Sequence, residues 1–402
     1  MPEAPISARP HAFYIRPAPG WLECLHQEVK SIVATPIQKY KYEPKITLLK
    51  GVVKLHRCDW RQGLEVMLRT TTAHDVEWMI LESKCTKWSE VEAILSRVPW
   101  DEVLPDRTVP VHVTPNVFQG FTTHSAKLRE LLCRAAQVEH VSEGGEFRFK
   151  IELKTDFLKI SVSLCGEPLY KRGYKAKLTA TAPLPEHQAA ACTRWVLEQE
   201  KNWSSISTVF VPFAGTGTLG FESLIVLSGA GVGSFMRDFS CDKFPCVSEA
   251  TMRFLRRKLQ ERLQNFSGPK LLFNEINPEA CLVLKENTQS FSKLCKGMES
   301  EIQEGDLFLD RLVPDGDGKI LVLLNPPYGD RLAKSSSVTQ LYSRLGKFLR
   351  ESLKPFEGRV LGGCLCPDKS SWNHFLQELK AKSAETHHFT HGGKEMRLVR
   401  WS

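Results

Sequence analysis

No CxxC pair occurs among the 12 cysteines of this chain, which are scattered and sit mostly in apolar surroundings, as at Leu132-Cys133 and Leu164-Cys165. Cys241/Cys246 and Cys364/Cys366 have no second pair at zinc-site spacing, so a structural metal is not expected, and buried free thiols in a reducing compartment is the reading adopted. No apolar run reaches the roughly 20 residues that span a bilayer, and Met1 to Arg16 contains no h-region before a small-residue cleavage site. An intracellular, cytoplasmic protein without membrane contact is therefore expected. Arg9 and Arg16 against Glu3 keep import into an organelle such as the mitochondrion open, although Pro2, Pro5 and Pro10 oppose an amphipathic presequence helix. Residues 1–165 also lack any nucleophile–base pairing or metal-spaced cluster. The charge excess is small, 54 Lys+Arg over 46 Asp+Glu, a mild lean toward a polyanionic partner.

What is present is the composition of a globular chain, 42% hydrophobic and 25% charged over 402 residues, too long for one ordinary core. The first part reads as mixed α+β. Leu22, Leu25, Val29 and Ile32 share a helical face; Ser89 and Glu92 have capping-box spacing, placing a helix start at Ser89. Val109, Val111 and Val113 alternate as in a strand, and Leu128, Leu131, Leu132 and Ala135 form a helical stripe. Phe147/Phe149/Ile151/Leu153 and Leu158/Ile160/Val162/Leu164 read as a hairpin with one buried face. The stretch 166–180 then interleaves Tyr170 and Tyr174 with Lys171, Arg172, Lys175 and Lys177. That pattern suits a nucleic-acid strand, by phosphate neutralisation and stacking, and equally a solvated linker. Arg253 to Arg262 reads as a helix with its charges in solvent.

From Thr181 the pattern is strand, turn, helix, repeated, which predicts a parallel α/β sheet. Val209-Phe210-Val211 runs into Pro212, Phe213, Ala214, Gly215, Thr216, Gly217 and Thr218, a small-residue turn that lets backbone approach a ligand. The next strand ends at Glu275, where a carboxylate can accept both hydroxyls of a ribose. Asp306, before Leu307, can take an adenine amine. The aliphatic run Ile320 to Leu324 ends abruptly at Asn325-Pro326-Pro327-Tyr328. Pro327 biases Pro326 toward an extended conformation, leaving the Pro326 carbonyl and the Asn325 side-chain oxygen as two adjacent acceptors for a planar NH2, with the Tyr328 ring for stacking.

Four stretches, LYKRGYK at 169–175 with APLPE at 182–186, PFAGTGT at 212–218 with Glu222, NEINP at 274–278 with Asn287, and NPPYGDRL at 325–332, together resemble the S-adenosylmethionine-dependent RNA guanine-N2 methyltransferases that carry a THUMP domain, a group that includes bacterial large-subunit ribosomal RNA enzymes. HGGKEMRLVRW at 391–401 resembles that family's last strand region. The resemblance implies an α/β protein: a ferredoxin-like subdomain at 1–58, a THUMP RNA-binding domain at 59–168, and a Rossmann-like class I methyltransferase domain at 169–402. It implies S-adenosyl-L-methionine over Pro212 to Thr218, with its ribose at Glu275 beside Ile276, its adenine at Asp306 and Leu307, and the target amine at Asn325 to Tyr328. RNA, most plausibly ribosomal, is the implied partner. Two positions depart from the family pattern, Val211 and Asn277, each standing where an acid is usual. Three rivals stay open: adenine N6 or a protein glutamine amide as the acceptor, and an RNA-clamping ribosome-assembly factor that has kept the fold without turnover.

Overall fold

The computed structural model describes residues 10–117, 125–141, 144–154, 156–175, 184–309, 312–327, 335–366 and 368–402, with backbone alone at 335–337. They form two compact units. The first comprises residues 1–17, 25–171 and 236–258, and the second residues 18–24, 172–235 and 259–402.

The first unit is built on β1 (His11–Pro17), β2 (Lys45–Leu49), β3 (Val52–Cys58), β4 (Ala73–Lys84), β5 (Val111–Val117), β6 (Phe147–Leu153) and β7 (Phe157–Ser163). They pair into one sheet of order β2-β3-β1-β4-β7-β6-β5 that runs without a break across residues 58 and 59, where a subdomain boundary was expected. The β6–β7 hairpin forms as its alternation predicts. Phe147, Phe149, Ile151 and Leu153 are buried while Arg148, Lys150 and Glu152 face the open side. The helices are α1 (Leu22–Ala34), α2 (Trp60–Arg69), α3 (Trp88–Leu95), α4 (Trp100–Val103) and α5 (Ser125–Ala136). The start of α3 corrects the expected cap. Glu90 rather than Glu92 reaches back, accepting from Thr86 N–H at 2.9 Å and Lys87 N–H at 3.2 Å, so the helix begins earlier than Ser89.

In the second unit α6 (Glu186–Leu197) precedes β8 (Ile206–Val211), which is followed by α7 (Thr218–Ser228). Then come α8 (Glu249–Gln264), which begins in the first unit, β9 (Lys270–Glu275), α9 (Pro278–Ser292), β10 (Ser300–Glu304), β11 (Lys319–Leu324), α10 (Ser335–Ser352), β12 (Val360–Cys366), α11 (Lys369–Leu379), β13 (Ala384–His391) and β14 (Lys394–Trp401). The sheet order is β10-β9-β8-β11-β12-β14-β13, with the first five strands parallel and β14 antiparallel to both neighbours. Val209, Phe210, Val211, Leu271, Phe273, Leu321 and Val322 are fully buried, the continuous apolar pattern of strands covered on both faces. Each such side chain contributes about 1.5–3 kcal/mol. The strand order reverses between β8 and β11, so the carboxyl ends of β10, β9, β8 and β11 lie side by side at a topological switch point. Among the described residues no helix is long and apolar enough to cross a membrane, and no group of three or more His, Cys, Asp or Glu is arranged to hold a metal. All 12 cysteines are free thiols.

Candidate functional site at the sheet edge

Because β8 pairs with β9 through Val211–Phe273 and with β11 through Phe210–Val322, the segments 212–218, 275–277 and 325–327 leave the sheet at neighbouring positions. At roughly 4.8 Å per strand, β9 and β11 stand about 10 Å apart with the β8 turn between them, a span that accommodates a nucleoside with a chain attached. The turn itself is held from three directions. Ala214 N–H donates to the Asn274 carbonyl at 3.0 Å; Gly215 N–H donates to Glu275 Oε2 at 2.7 Å; Asn287 Nδ2, from fully buried α9 surface, donates to the Thr216 carbonyl at 3.2 Å. Gly215 and Gly217 take φ of +54° and +90°, a region open to glycine at low cost, and Gly217 caps α7. A Cβ at Gly217 would meet Phe221 at 2.5 Å, whereas one at Gly215 would have no atom within 4 Å. The turn is thus packed on one side and open on the other.

Glu275, half-buried, also accepts from Asn277 N–H at 2.9 Å through Oε1, which fixes its carboxylate in place. Ile276 beside it is 62% exposed, an aliphatic side chain left on the surface. Asp306 Oδ1 accepts from Phe308 N–H at 2.9 Å, and Leu307 is buried. Asn274 is a residue the sequence reading passed over. Buried at the end of β9, it donates through Nδ2 to the Gly305 carbonyl at 3.2 Å and so ties the β10 turn to the β8 turn. Its signal was a polar side chain inside an otherwise apolar strand.

At the end of β11, Asn325 Oδ1 is buried and has no hydrogen-bond partner among the described residues; the same holds for the hydroxyl of Thr216. Leaving a buried acceptor unmade costs about 1–3 kcal/mol. Such atoms at the edge where ligands bind are what a site for a polar ligand leaves behind, and with the open side of Gly215 they fit S-adenosylmethionine and an amine-bearing substrate. Pro326 is buried and Pro327 half-buried; Tyr328 lies outside the described residues.

The basic connector needs correction. Arg172 is 1% exposed and Tyr174 4%, so neither is available to an RNA strand. Both are turned onto Glu222 of α7, itself 0% exposed: Arg172 Nη2 donates to Oε2 at 3.2 Å and Tyr174 OH to Oε1 at 3.1 Å. The reason is electrostatic, since a carboxylate buried one turn after the glycine turn needs paired donors. Burial pushes the Glu222 carboxyl up, and Arg172 opposes that shift. Lys175 Nζ is likewise drawn inward, to Glu186 at 2.6 Å. Of the expected RNA contacts, Lys171 remains exposed and pairs with Glu167, and Tyr170 is half-buried with its ring 5.8 Å from that of His74. Val211 is fully buried in the core, and Asn277 is the N-cap of α9, accepting from Glu279 N–H at 2.9 Å and Ala280 N–H at 3.1 Å.

Residues 179–396 match the family model described as UPF0020, RMKL-like methyltransferase domain. The ribosomal RNA large subunit methyltransferase K/L of Allochromatium vinosum is 26% identical over 330 residues, which is 77% of this chain and 42% of that protein. The chain spans about half the length, or less, of the curated relatives it matches. Among solved structures, SMU.472, complexed with SAH, aligns with a TM-score of 0.74 at 18% identity, covering 98% of each chain. TrmN from Thermus thermophilus aligns with a TM-score of 0.64 at 16% identity, covering 98% of this chain and 99% of its own. The shared fold is that of class I methyltransferases.

Proposed function

The chain belongs to the UPF0020 family of RMKL-like methyltransferase domains, and from that premise we propose that it transfers a methyl group from S-adenosylmethionine to the N2 amine of a guanine in structured RNA, ribosomal RNA foremost. S-adenosylmethionine supplies, when bound, an electrophilic methyl on a sulfonium. The residues 212–218 and Glu275 would hold it. The chain's own part is positional. Asn325 Oδ1 and the Pro326 carbonyl would accept the two N–H bonds of the amine, aim its nitrogen, and stabilise the positive charge that grows there as the N–C bond forms and the methyl's bond to sulfur breaks, S-adenosylhomocysteine being the leaving group. No dedicated base is needed, because the methylated ammonium sheds its proton readily. The target guanine has to be unpaired or flipped out to reach this edge.

The observation that carries the reading is the buried Asn325 Oδ1 at the end of β11, without a hydrogen-bond partner among the described residues, beside the open glycine turn. Asn325→Ala should lower methylation roughly 100-fold while leaving RNA and cofactor affinities within about twofold, because it deletes an acceptor that acts on the target amine alone. Mass spectrometry of nucleosides from RNA treated with either protein reads the result. Wild-type levels of product in the mutant would defeat the site, and N6-methyladenosine in place of N2-methylguanosine would replace the choice of base.

A further inference from the structure

A cavity of about 540 Å³ opens on the first unit's sheet, lined from β4, β7, β6 and β5. It is polar because alternate residues of each strand point into it: Asp75 and Glu77 from β4, Ser163 from β7, Arg148 and Lys150 from β6, His112 from β5. The two acids are in different states. Glu77 is fully engaged: Arg16 binds both of its oxygens, with Nη2 at 2.8 Å from Oε2, and Ser161 Oγ donates to it at 3.1 Å. Asp75 receives Ser163 Oγ at 2.7 Å and Val76 N–H at 2.8 Å, both on Oδ1, hydrogen-bonds with the Cys165 thiol, and has no ion-pair partner among the described residues. Burial pushes its carboxyl up. Asp75 thus lines the cavity as a carboxyl paired with no cation among the described residues. On the far side, Arg148 and Lys150 are held by surface pairs to Glu167 and Glu152, both at 3.2 Å, which are weak enough to exchange for a phosphate.

We propose that this cavity seats one unpaired guanine nucleotide of the RNA, separate from the methylation target, with Asp75 taking the base edge and Arg148 and Lys150 the phosphate. Guanine is chosen on donor geometry. Its N1–H and N2–H2 stand side by side with no acceptor between them, whereas the amines of adenine and cytosine adjoin a ring acceptor and the uracil N–H lies between two carbonyls, each of which repels a carboxylate oxygen. The inference rests on the RNA substrate proposed above, and its test does not depend on methyl transfer.

The full chain is titrated with 5′-labelled hexamers of uridine carrying a single guanosine, adenosine or inosine at the fourth position, at one fixed salt concentration. The guanosine hexamer should bind about tenfold tighter than the other two. Inosine keeps N1–H and loses the amine, so its deficit reports the N2 contact. Asp75→Asn keeps an oxygen acceptor for Ser163 and Val76 and turns the other oxygen into an NH2 donor; it should fold normally and abolish the preference. Arg148→Ala should weaken all three hexamers alike and reduce the salt slope by about one. Equal binding of the three hexamers by the wild type, or an unchanged preference in Asp75→Asn, overturns the proposal. Guanosine 5′-monophosphate binding as tightly as the hexamer would also overturn it, marking a free-nucleotide site. Methylation without the guanosine preference defeats this inference alone, and the preference without methylation defeats the methyltransferase reading alone.

Discussion

The glycine turn after β8 offers a perturbation in which stability and ligand binding separate by position. Gly215 and Gly217 both lie in the left-handed region, at φ +54° and +90°, so alanine at either costs about 1–2 kcal/mol in backbone strain. Their surroundings differ. A Cβ at Gly217 would come within 2.5 Å of Phe221 and 2.8 Å of Leu284, which adds overpacking of about 1–3 kcal/mol and brings the total to about 2–5 kcal/mol. A Cβ at Gly215 meets no protein atom within 4 Å, so its effect on folding stops at the backbone term. The space it would enter is the volume assigned to S-adenosylmethionine. A methyl group forced into a close ligand contact costs about 1–3 kcal/mol, which raises Kd roughly 5- to 150-fold. Urea unfolding of Gly215→Ala, Gly217→Ala and wild type gives the first comparison, and calorimetric titration with S-adenosylhomocysteine gives the second. Gly215→Ala should be the more stable variant and yet a weak binder. Wild-type affinity in Gly215→Ala would place the cofactor elsewhere, and equal stability of the two variants would refute the packing argument.

Three further outcomes follow from burial and charge. Arg172→Met strands the buried Glu222 carboxylate and should cost about 3–5 kcal/mol by urea unfolding, with RNA affinity changed less than twofold; a large loss of RNA affinity in a folded protein would restore Arg172 as a contact. His387, its ring centroid 4.2 Å from that of Trp21 and its Nε2 3.0 Å from the Gly20 carbonyl, is held neutral, with burial lowering its pKa. Its stabilising contribution is present above the ordinary value of 6.5 and is lost as pH falls through the lowered one, so protection factors of the amides of residues 18–24, corrected for intrinsic exchange, should be lower at pH 5 than at pH 7; identical protection at both would exclude the effect. Burial pushes the thiols of Cys58 and Cys246 up to about 12 and Cys295 up to about 11 from the ordinary 9.0. The unfolded chain ionises first, and stability present below pH 9 should fall by about 1.4 kcal/mol per thiol per pH unit above it, seen as a lower urea midpoint at pH 10 than at pH 8.

The parts of this molecule legible in the sequence are those where local chemistry and tertiary context agree. Strands β8, β9 and β11 are apolar runs that end in a glycine turn, an acid and a double proline, and no rearrangement of the rest of the chain alters what those residues do at a sheet edge. The β6–β7 hairpin is legible for the same reason, since period-two alternation fixes which face is buried. The connector was misread because composition does not say which charge pairs with which. Tyr174 and Arg172 are basic–aromatic by pattern, and their partner Glu222 lies 50 residues beyond Arg172, inside a helix whose other residues are largely apolar. Asp75 was invisible in the same way. It becomes notable because no cation among the described residues forms an ion pair with it, while Glu77, two residues on, takes Arg16 from another strand.

Val211 and Asn277 bear on whether the site turns over or serves as a clamp. Asn277 caps α9 through two N–H bonds, and as caps Asn and Asp are near equivalents, so the departure removes a charge without removing a structural contact. A single negative charge at a helix N-terminus is worth about 0.3–1 kcal/mol to the helix itself. Val211 is buried among Ala214, Leu219 and Phe221 in the same apolar cluster, where it contributes to the core that supports the glycine turn. Glu275 and Asp306 still put two carboxylates at the edge, each held by backbone donors. A clamp gains nothing from an Asn325 oxygen that has no hydrogen-bond partner among the described residues. In the proposed enzyme that oxygen would accept from the target amine, and the free energy withheld from the fold would then help to orient the nitrogen.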